Sequence, residues 1–266
     1  MPLIGTLTSG VSALKTFSKG LEVIGGNIAN VNTTGYKSAS TSFADTFSNT
    51  VRTGAGGNSA AQIGSGVQVG AIATNFSQGA LSSTGKTTDL GISGKGYFVV
   101  QEGTNNYATR DGSFHFATNG DLVNAQGKNV LADDGTKINV NNYDEVSSVT
   151  FGADGSVNVI YNPSSTATYA GQNIGLADIA DEGKLVKQGN NLYDFASLGI
   201  AVTTDLVNAN SGAMGKIEAG ALELSNVDLT EQFSELITTQ RSFQAGARLV
   251  TVSDSVLEDI VNLKRS

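Results

Sequence analysis

Apolar residues recur with a helical period at both ends of the chain and fall in short strand-like runs between turn dipeptides in the middle. In residues 1–31, Leu7, Leu14, Leu21 and Ile28 are spaced by seven, and a second row, Phe17, Ile24 and Val31, runs three residues further on, with Val11 between Leu7 and Leu14. Such a stripe, broadened by its second row, predicts an amphipathic helix. Residues 227–263 repeat the pattern: Leu229, Leu236, Phe243, Val250 and Leu257 form one row, and Phe233, Gln240, Ala247, Asp254 and Val261 the other. Asp228 followed three residues later by Glu231 resembles a capping-box entry, so the second helix is expected to begin there. Lys264 and Arg265 suit its negative end.

The middle of the chain reads as β. The runs 96–100, 113–116 and 156–160 are strand-like, and Asp111-Gly112, Asn119-Gly120, Asp134-Gly135 and Asp154-Gly155 supply turn dipeptides between them. Residues 38–77 are rich in Ser, Thr, Ala and Gly, and 52–66 are the most loop-like part. The expected fold is α+β, with a discontinuous coiled coil of the two terminal helices and an inserted antiparallel all-β domain. Residues 1–37 and 222–266 are assigned to the helical part, 38–80 and 210–221 to an extended linking arm, and 81–209 to the β domain.

Composition narrows the function. The 266 residues carry 24 acidic and 16 basic side chains, a formal net charge of −8, which argues against a nucleic-acid partner. There is no cysteine and one histidine, His115, so thiol catalysis, thiolate zinc sites and histidine metal clusters are excluded. No run of about 20 apolar residues predicts membrane insertion, and the first residues do not read as a secretory signal. The 33 glycines with only 2 prolines fit many tight turns. Gly94-Lys95-Gly96 lacks the context of a phosphate loop. His115 has no nucleophile elbow to serve. Asp133-Asp134 and Asp144-Glu145 read as turn and solvated charge, and Arg110-Asp111 as a turn or an intersubunit polar contact. No catalytic, cofactor or metal residues are expected, and no enzyme activity.

Two long helices at opposite ends can pair with each other, but the pair leaves flanking apolar rows uncovered, and uncovered rows mark an interaction surface. Copies of the same subunit cover them most simply, and a head-to-tail contact that does not close gives a filament. Gln240 and Asp254 are expected to fix register within such a seam. Patterning alone equally admits a compact α+β protein whose stripes are ordinary core faces.

Asn27-Ile28-Ala29-Asn30-Val31-Asn32-Thr33-Thr34-Gly35-Tyr36-Lys37 resembles the signature of bacterial flagellar hook and rod axial proteins. Residues 89–98, 107–123 and, near the end, 225–229 with 239–243 resemble further motifs of that family, in the family's order. The resemblance marks Asn27, Ala29, Asn30, Thr33, Gly35, Tyr36 and Lys37 as motif residues. It implies an inner coiled-coil layer of terminal helices around a channel, an outer β wall, and export without a cleaved secretory signal. The implied partners are the subunit itself in a helical homopolymer, neighbouring axial proteins, a cap or scaffold protein and the export apparatus. On this reading Leu7, Val11, Leu14, Phe17, Leu21, Ile24, Ile28, Leu229, Phe233, Leu236, Gln240, Phe243, Ala247, Val250 and Leu257 form the assembly interface. Residues 41–47 and 220–229 look most like the hook type. The short length looks more like the distal rod type, the second reading.

Overall fold

The computed structural model describes residues 2–52, 61–161, 167–195, 206–212 and 214–263. Residues 53–60, within the stretch read as most loop-like, and Lys264 and Arg265, read as the helix end, lie outside them. The fold is α+β: two terminal helices and an antiparallel β region between them. The chain forms two units, one of residues 1–30, 38–75 and 227–266, the other of residues 31–37 and 76–226.

In the first unit, α1 spans Pro2–Ala29 and α2 spans Leu229–Leu263. Asp228 caps α2 as its sequence predicts: its Oδ1 accepts from the backbone N–H groups of Thr230 (2.8 Å) and Glu231 (3.3 Å). Asn30 closes α1 by a different route from the left-handed backbone that Asn tolerates. Its Nδ2 donates to the Gly26 carbonyl, 2.8 Å away, satisfying an end group of the helix. The Ser- and Thr-rich segment after α1 is itself β: Ala39–Asp45 pairs with Val67–Thr74, and Ser48–Arg52 with Ala61–Gly64, both antiparallel.

The second unit is built on a nine-stranded antiparallel sheet among the described residues. Its central strand, Tyr97–Glu102, pairs with Asn105–Thr109 along one edge and with Asn129–Val130 and Gly175–Ala177 along the other. Side chains alternate between the two faces of a strand. Phe98 and Val100 therefore enter one apolar cluster, with Leu122, Ile174 and Leu176, and Tyr97 and Val99 enter a second, with Tyr193 and Phe195. Burial on both faces explains why the sequence here is a continuous apolar run rather than an alternation. A three-stranded sheet, Val146–Phe151, Ser156–Tyr161 and Ala167–Asn173, adds Val157 and Val159 to the first cluster.

The turn dipeptides divide into two kinds. Gly120, Gly135 and Gly155 have φ of 81°, 76° and 85°, the left-handed region that favours glycine. Asp134 and Asp154 complete their turns by accepting from the hydroxyls of Thr136 and Ser156, which holds both carboxyls below the usual range. Gly112 is not such a turn glycine. A β-carbon there would sit 1.6 Å from the Leu90 carbonyl oxygen, so glycine is required by close approach of two backbones. Gly112→Ala is expected to cost about 3 kcal/mol through overpacking that neither backbone can relieve. A urea titration of the purified chain measures this, and a loss below about 1 kcal/mol would show that the two segments separate easily.

Candidate assembly site

The two helices pack antiparallel. Thr6 meets Ser253, Gly10 lies against Val250 and Gly246, Gly20 lies against Thr239, and Asn27 meets Gln232. On α2 the facing positions are Gln232, Leu236, Thr239, Phe243, Gly246, Val250, Ser253 and Leu257, alternately four and three residues apart, each at least half-buried. This is the spacing of a knobs-into-holes seam. On α1 the corresponding positions are Thr6, Gly10, Ala13, Phe17, Gly20, Ile24 and Asn27.

Within the chain this seam takes up only one of the two α2 rows. The row Leu236, Phe243, Val250 and Leu257 does face α1, together with Phe17 and Ile24. The second α2 row does not: Phe233 is 50 % exposed and Val261 60 %, and Gln240 and Asp254 are exposed as well, while Ala247 is half-buried at the seam's margin. Gln240 and Asp254 therefore cannot set register between α1 and α2. That position belongs to the row Gln232, Thr239, Gly246 and Ser253, whose small and polar side chains carry a heptad spacing but no hydrophobic signal. Small residues are placed where the helices come closest. A β-carbon on Gly10 would stand 2.9 Å from a Val250 methyl, and one on Gly20 would stand 3.5 Å from the Thr239 methyl.

Other residues expected at the interface lie on the flanks of the pair. Leu7, Leu14, Leu21 and Ile28 are half-buried, and Val11 and Leu229 are exposed. Beside the seam the strand pair covers α1: Thr16 donates to the Val67 carbonyl (3.1 Å), and Phe17 and Phe43 make an edge-to-face contact at 5.7 Å. Where α1, α2 and strand Ala39–Asp45 meet, a hollow of about 250 Å³ remains, lined by Gly20, Ile24, Phe43 and Thr238 among others.

The motif residues divide between two tasks. Asn27 is buried in the first unit, where its Nδ2 donates to Gln232 Oε1 (2.8 Å) and to the Ala39 carbonyl (2.7 Å), and its Oδ1 accepts from the Ala39 N–H (2.9 Å). It ties both helices to the start of the first strand. Asn27→Ala leaves the Ala39 N–H, the Ala39 carbonyl and Gln232 Oε1 without these bonds, at an expected cost of about 2 kcal/mol. Thermal unfolding of the helix pair followed by circular dichroism checks this; an unchanged melting curve contradicts it. Ala29 is exposed and Thr33 half-buried.

Gly35, Tyr36 and Lys37 belong to a clasp in the second unit. Glu223 is its centre. One carboxylate oxygen accepts from Lys37 Nζ (2.6 Å) and from the Gly79 N–H (2.9 Å), the other accepts from Arg110 Nη1 (3.2 Å), and the Glu223 carbonyl accepts from the Gly35 N–H (2.8 Å). Lys37 also donates to the Ser77 carbonyl (2.8 Å), and Arg110 to the Gly94 carbonyl (3.0 Å). All three charged side chains are almost fully buried. Burial pulls the Lys37 amine below its usual pKa, and the Glu223 carboxylate partly opposes that fall. Arg110 stacks 4.8 Å above the Tyr97 ring, whose hydroxyl donates to Glu182 (2.9 Å). Burial, with the Glu182 charge second, pushes the Tyr97 phenol far up. Gly35 is left-handed, φ 65°, and a β-carbon on it would lie 2.7 Å from the Arg110 and Asp111 backbone. Tyr36 lies under the Lys187 ammonium at 5.0 Å.

Of the two expectations for Arg110-Asp111, the intersubunit contact is overturned for Arg110, which is buried within its own chain. Asp111 accepts from Thr34 (2.9 Å) and from the Ser113 N–H (3.1 Å). Sequence reading missed Glu223, Arg110 and Gln232 as structural partners of the motif. His115 is exposed on its strand. No group of three or more metal-ligating side chains occurs among the described residues, and no helix is long and apolar enough to cross a membrane.

A helix pair made from the two ends of a chain, an inserted antiparallel β unit, and a motif spent on holding segments together define an architectural protein. Comparisons with known proteins agree. Residues 7–37 match the family described as "Flagella basal body rod protein", residues 91–159 "Flagellar hook protein FlgE/F/G D1 domain", and residues 218–263 "Flagellar basal body rod FlgEFG protein C-terminal". The chain is similar to the flagellar basal-body rod protein FlgG of Bacillus subtilis (strain 168), 39% identical over 269 residues, covering 99% of this chain and 100% of that protein. It is 32% identical to the same-named protein of Agrobacterium fabrum over 266 residues, covering 96% and 97%. To the flagellar hook protein FlgE of Borreliella burgdorferi it is 40% identical over 128 residues, which is 46% of this chain and 29% of that protein. The chain belongs to the flagellar hook and rod protein family, a family of structural proteins of the bacterial flagellum and not of enzymes.

Proposed function

We propose that this chain is a subunit of the flagellar basal-body rod, of the distal rod type, which polymerises into a helical tube. One observation favours rod over hook: the rod relatives align along essentially their whole length, whereas the hook relative aligns over 29% of its own. The hook-like look of residues 41–47 and 220–229 is then a feature common to the family. The half-buried row Leu7, Leu14, Leu21 and Ile28, with Val11, Phe233 and Leu229, is covered by neighbouring copies, because apolar surface of this extent on a helix pair is stabilised by burial. Neighbouring axial proteins, a cap or scaffold protein and the export apparatus complete the partners.

Electron microscopy of cells lacking the protein tests the reading. A rod truncated before its distal part supports it. A complete rod without a hook would make the chain a hook subunit, and an intact rod with its hook would end the proposal.

A further inference from the structure

The charges of α2 are laid out in blocks. Along its 35 residues the charged side chains fall into an acidic block (Glu231 and Glu235), a basic block (Arg241 and Arg248) and a second acidic block (Asp254, Glu258 and Asp259). All seven are exposed, and none of them makes an ion pair among the described residues. Apart from Glu231, which suits the first turn of the helix, the layout does little for the helix itself. Glu231 with Glu235, and Asp254 with Glu258, are like charges four residues apart, which weakens an isolated helix. Nor does it serve the pairing with α1, since the two arginines lie on the face opposite the seam.

The spacing of the blocks is regular. Their centres are about twelve residues apart on either side, roughly 18 Å at 1.5 Å per residue. Two parallel copies of α2 in register set acid beside acid and arginine beside arginine. A shift of one copy by about 18 Å sets its first acidic block beside the other's arginines and, at once, its own arginines beside the other's second acidic block. The angular placement agrees. At about 100° per residue, Glu231 and Glu235 lie about 110° to one side of the arginine face, and Asp254 and Glu258 about 110° to the other. A contact between opposite flanks of identical subunits is head-to-tail, the kind that propagates.

We propose that the α2 helices of adjacent subunits dock in parallel with this stagger, Arg241 and Arg248 of each copy held between the acidic blocks of its neighbours, and that repulsion forbids the in-register arrangement. The inference rests on the polymer reading above and adds to it the contact residues and the axial offset.

The chain has no cysteine, so engineered ones report without background. Ala245 and Ser255 are exposed on the two flanks that the stagger brings together. In rods isolated from motile cells carrying Ala245→Cys with Ser255→Cys, a short bis-maleimide linker is expected to give a ladder of linked subunits, and either single variant none. Assembled subunits without a ladder would overturn the stagger while leaving the rod reading intact. A chain absent from the isolated rod would overturn the rod reading itself. Independently, Arg241→Glu with Arg248→Glu is expected to lower incorporation at least tenfold with normal helix content in the monomer. Adding Glu231→Arg, Glu235→Arg, Asp254→Arg, Glu258→Arg and Asp259→Arg is expected to restore it. Normal assembly of the double reversal, or no recovery in the complete reversal, counts against the proposal.

Discussion

Glu223→Gln is expected to destabilise the β unit by about 4 kcal/mol, because it removes the one negative charge between two buried cations. The substitution keeps the size of the side chain and takes away only its charge. Lys37 and Arg110 then stay buried without a counterion. The comparison variant Glu218→Gln, at a pair on the surface with Lys216 (3.3 Å), is expected to change stability by less than about 0.5 kcal/mol. Urea unfolding of the two variants separates the cases, and equal effects would mean that the clasp is not the strained point. The pH response carries a further sign. Lys37 titrates below its ordinary 10.5 in the folded chain, since burial outweighs the help of Glu223. Without Glu223 it falls further, so between the folded value and 10.5 the unfolded chain binds more protons. Stability of Glu223→Gln relative to the wild type therefore recovers as pH rises from the variant's folded Lys37 value to that of the wild type, above which both chains gain equally up to 10.5. A deficit that stays constant up to the lysine range would place the strain elsewhere.

Leu21→Asp is expected to reduce incorporation into the rod at least a hundredfold while the monomer folds normally. The physical reason is the half-burial of Leu21. In the lone chain a carboxylate there still reaches water, but beneath a neighbouring subunit it becomes an unpaired buried charge. Leu236→Asp is not equivalent, although the sequence puts both residues in comparable stripes. Leu236 has the seam phase, so a charge there damages the helix pair before assembly begins. Fractionation of rods together with circular dichroism of the purified variants tests the contrast. Wild-type incorporation of Leu21→Asp would remove the flanking row from the assembly surface.

The two helices were legible because periodicity and capping are local. Their length, the Asp228 cap and the row Leu236 to Leu257 follow from 3.6 residues per turn and from side chains three and four positions apart. The same holds for the strands at 97–102, 114–116 and 156–161, and for the turns at Gly120, Gly135 and Gly155. The motif at Asn27–Lys37 marked the family without revealing what its residues hold.

Local pattern could not decide which row of α2 faces α1, since a hydrophobic row and a row of small and polar residues compete for the same seam. Close approach favoured the small residues: Gly10 and Gly246 admit a neighbouring helix where Phe233 and Val261 would hold it off. A search for heptad spacing among Gln232, Thr239, Gly246 and Ser253 would have found that row. Nothing local announces the clasp. Lys37 and Glu223 are 186 residues apart in sequence, and a lysine or glutamate read alone is a surface residue. Gly112 likewise reads as a turn glycine until the Leu90 carbonyl is seen beside it. The sequence by itself determined the two helices, the strands of the middle region and the family, but not the strands within 39–74, because the former rest on short-range geometry and on motifs. The tertiary structure alone decided the seam and the buried charges, because these depend on which distant segments meet and on how little room or water is left between them.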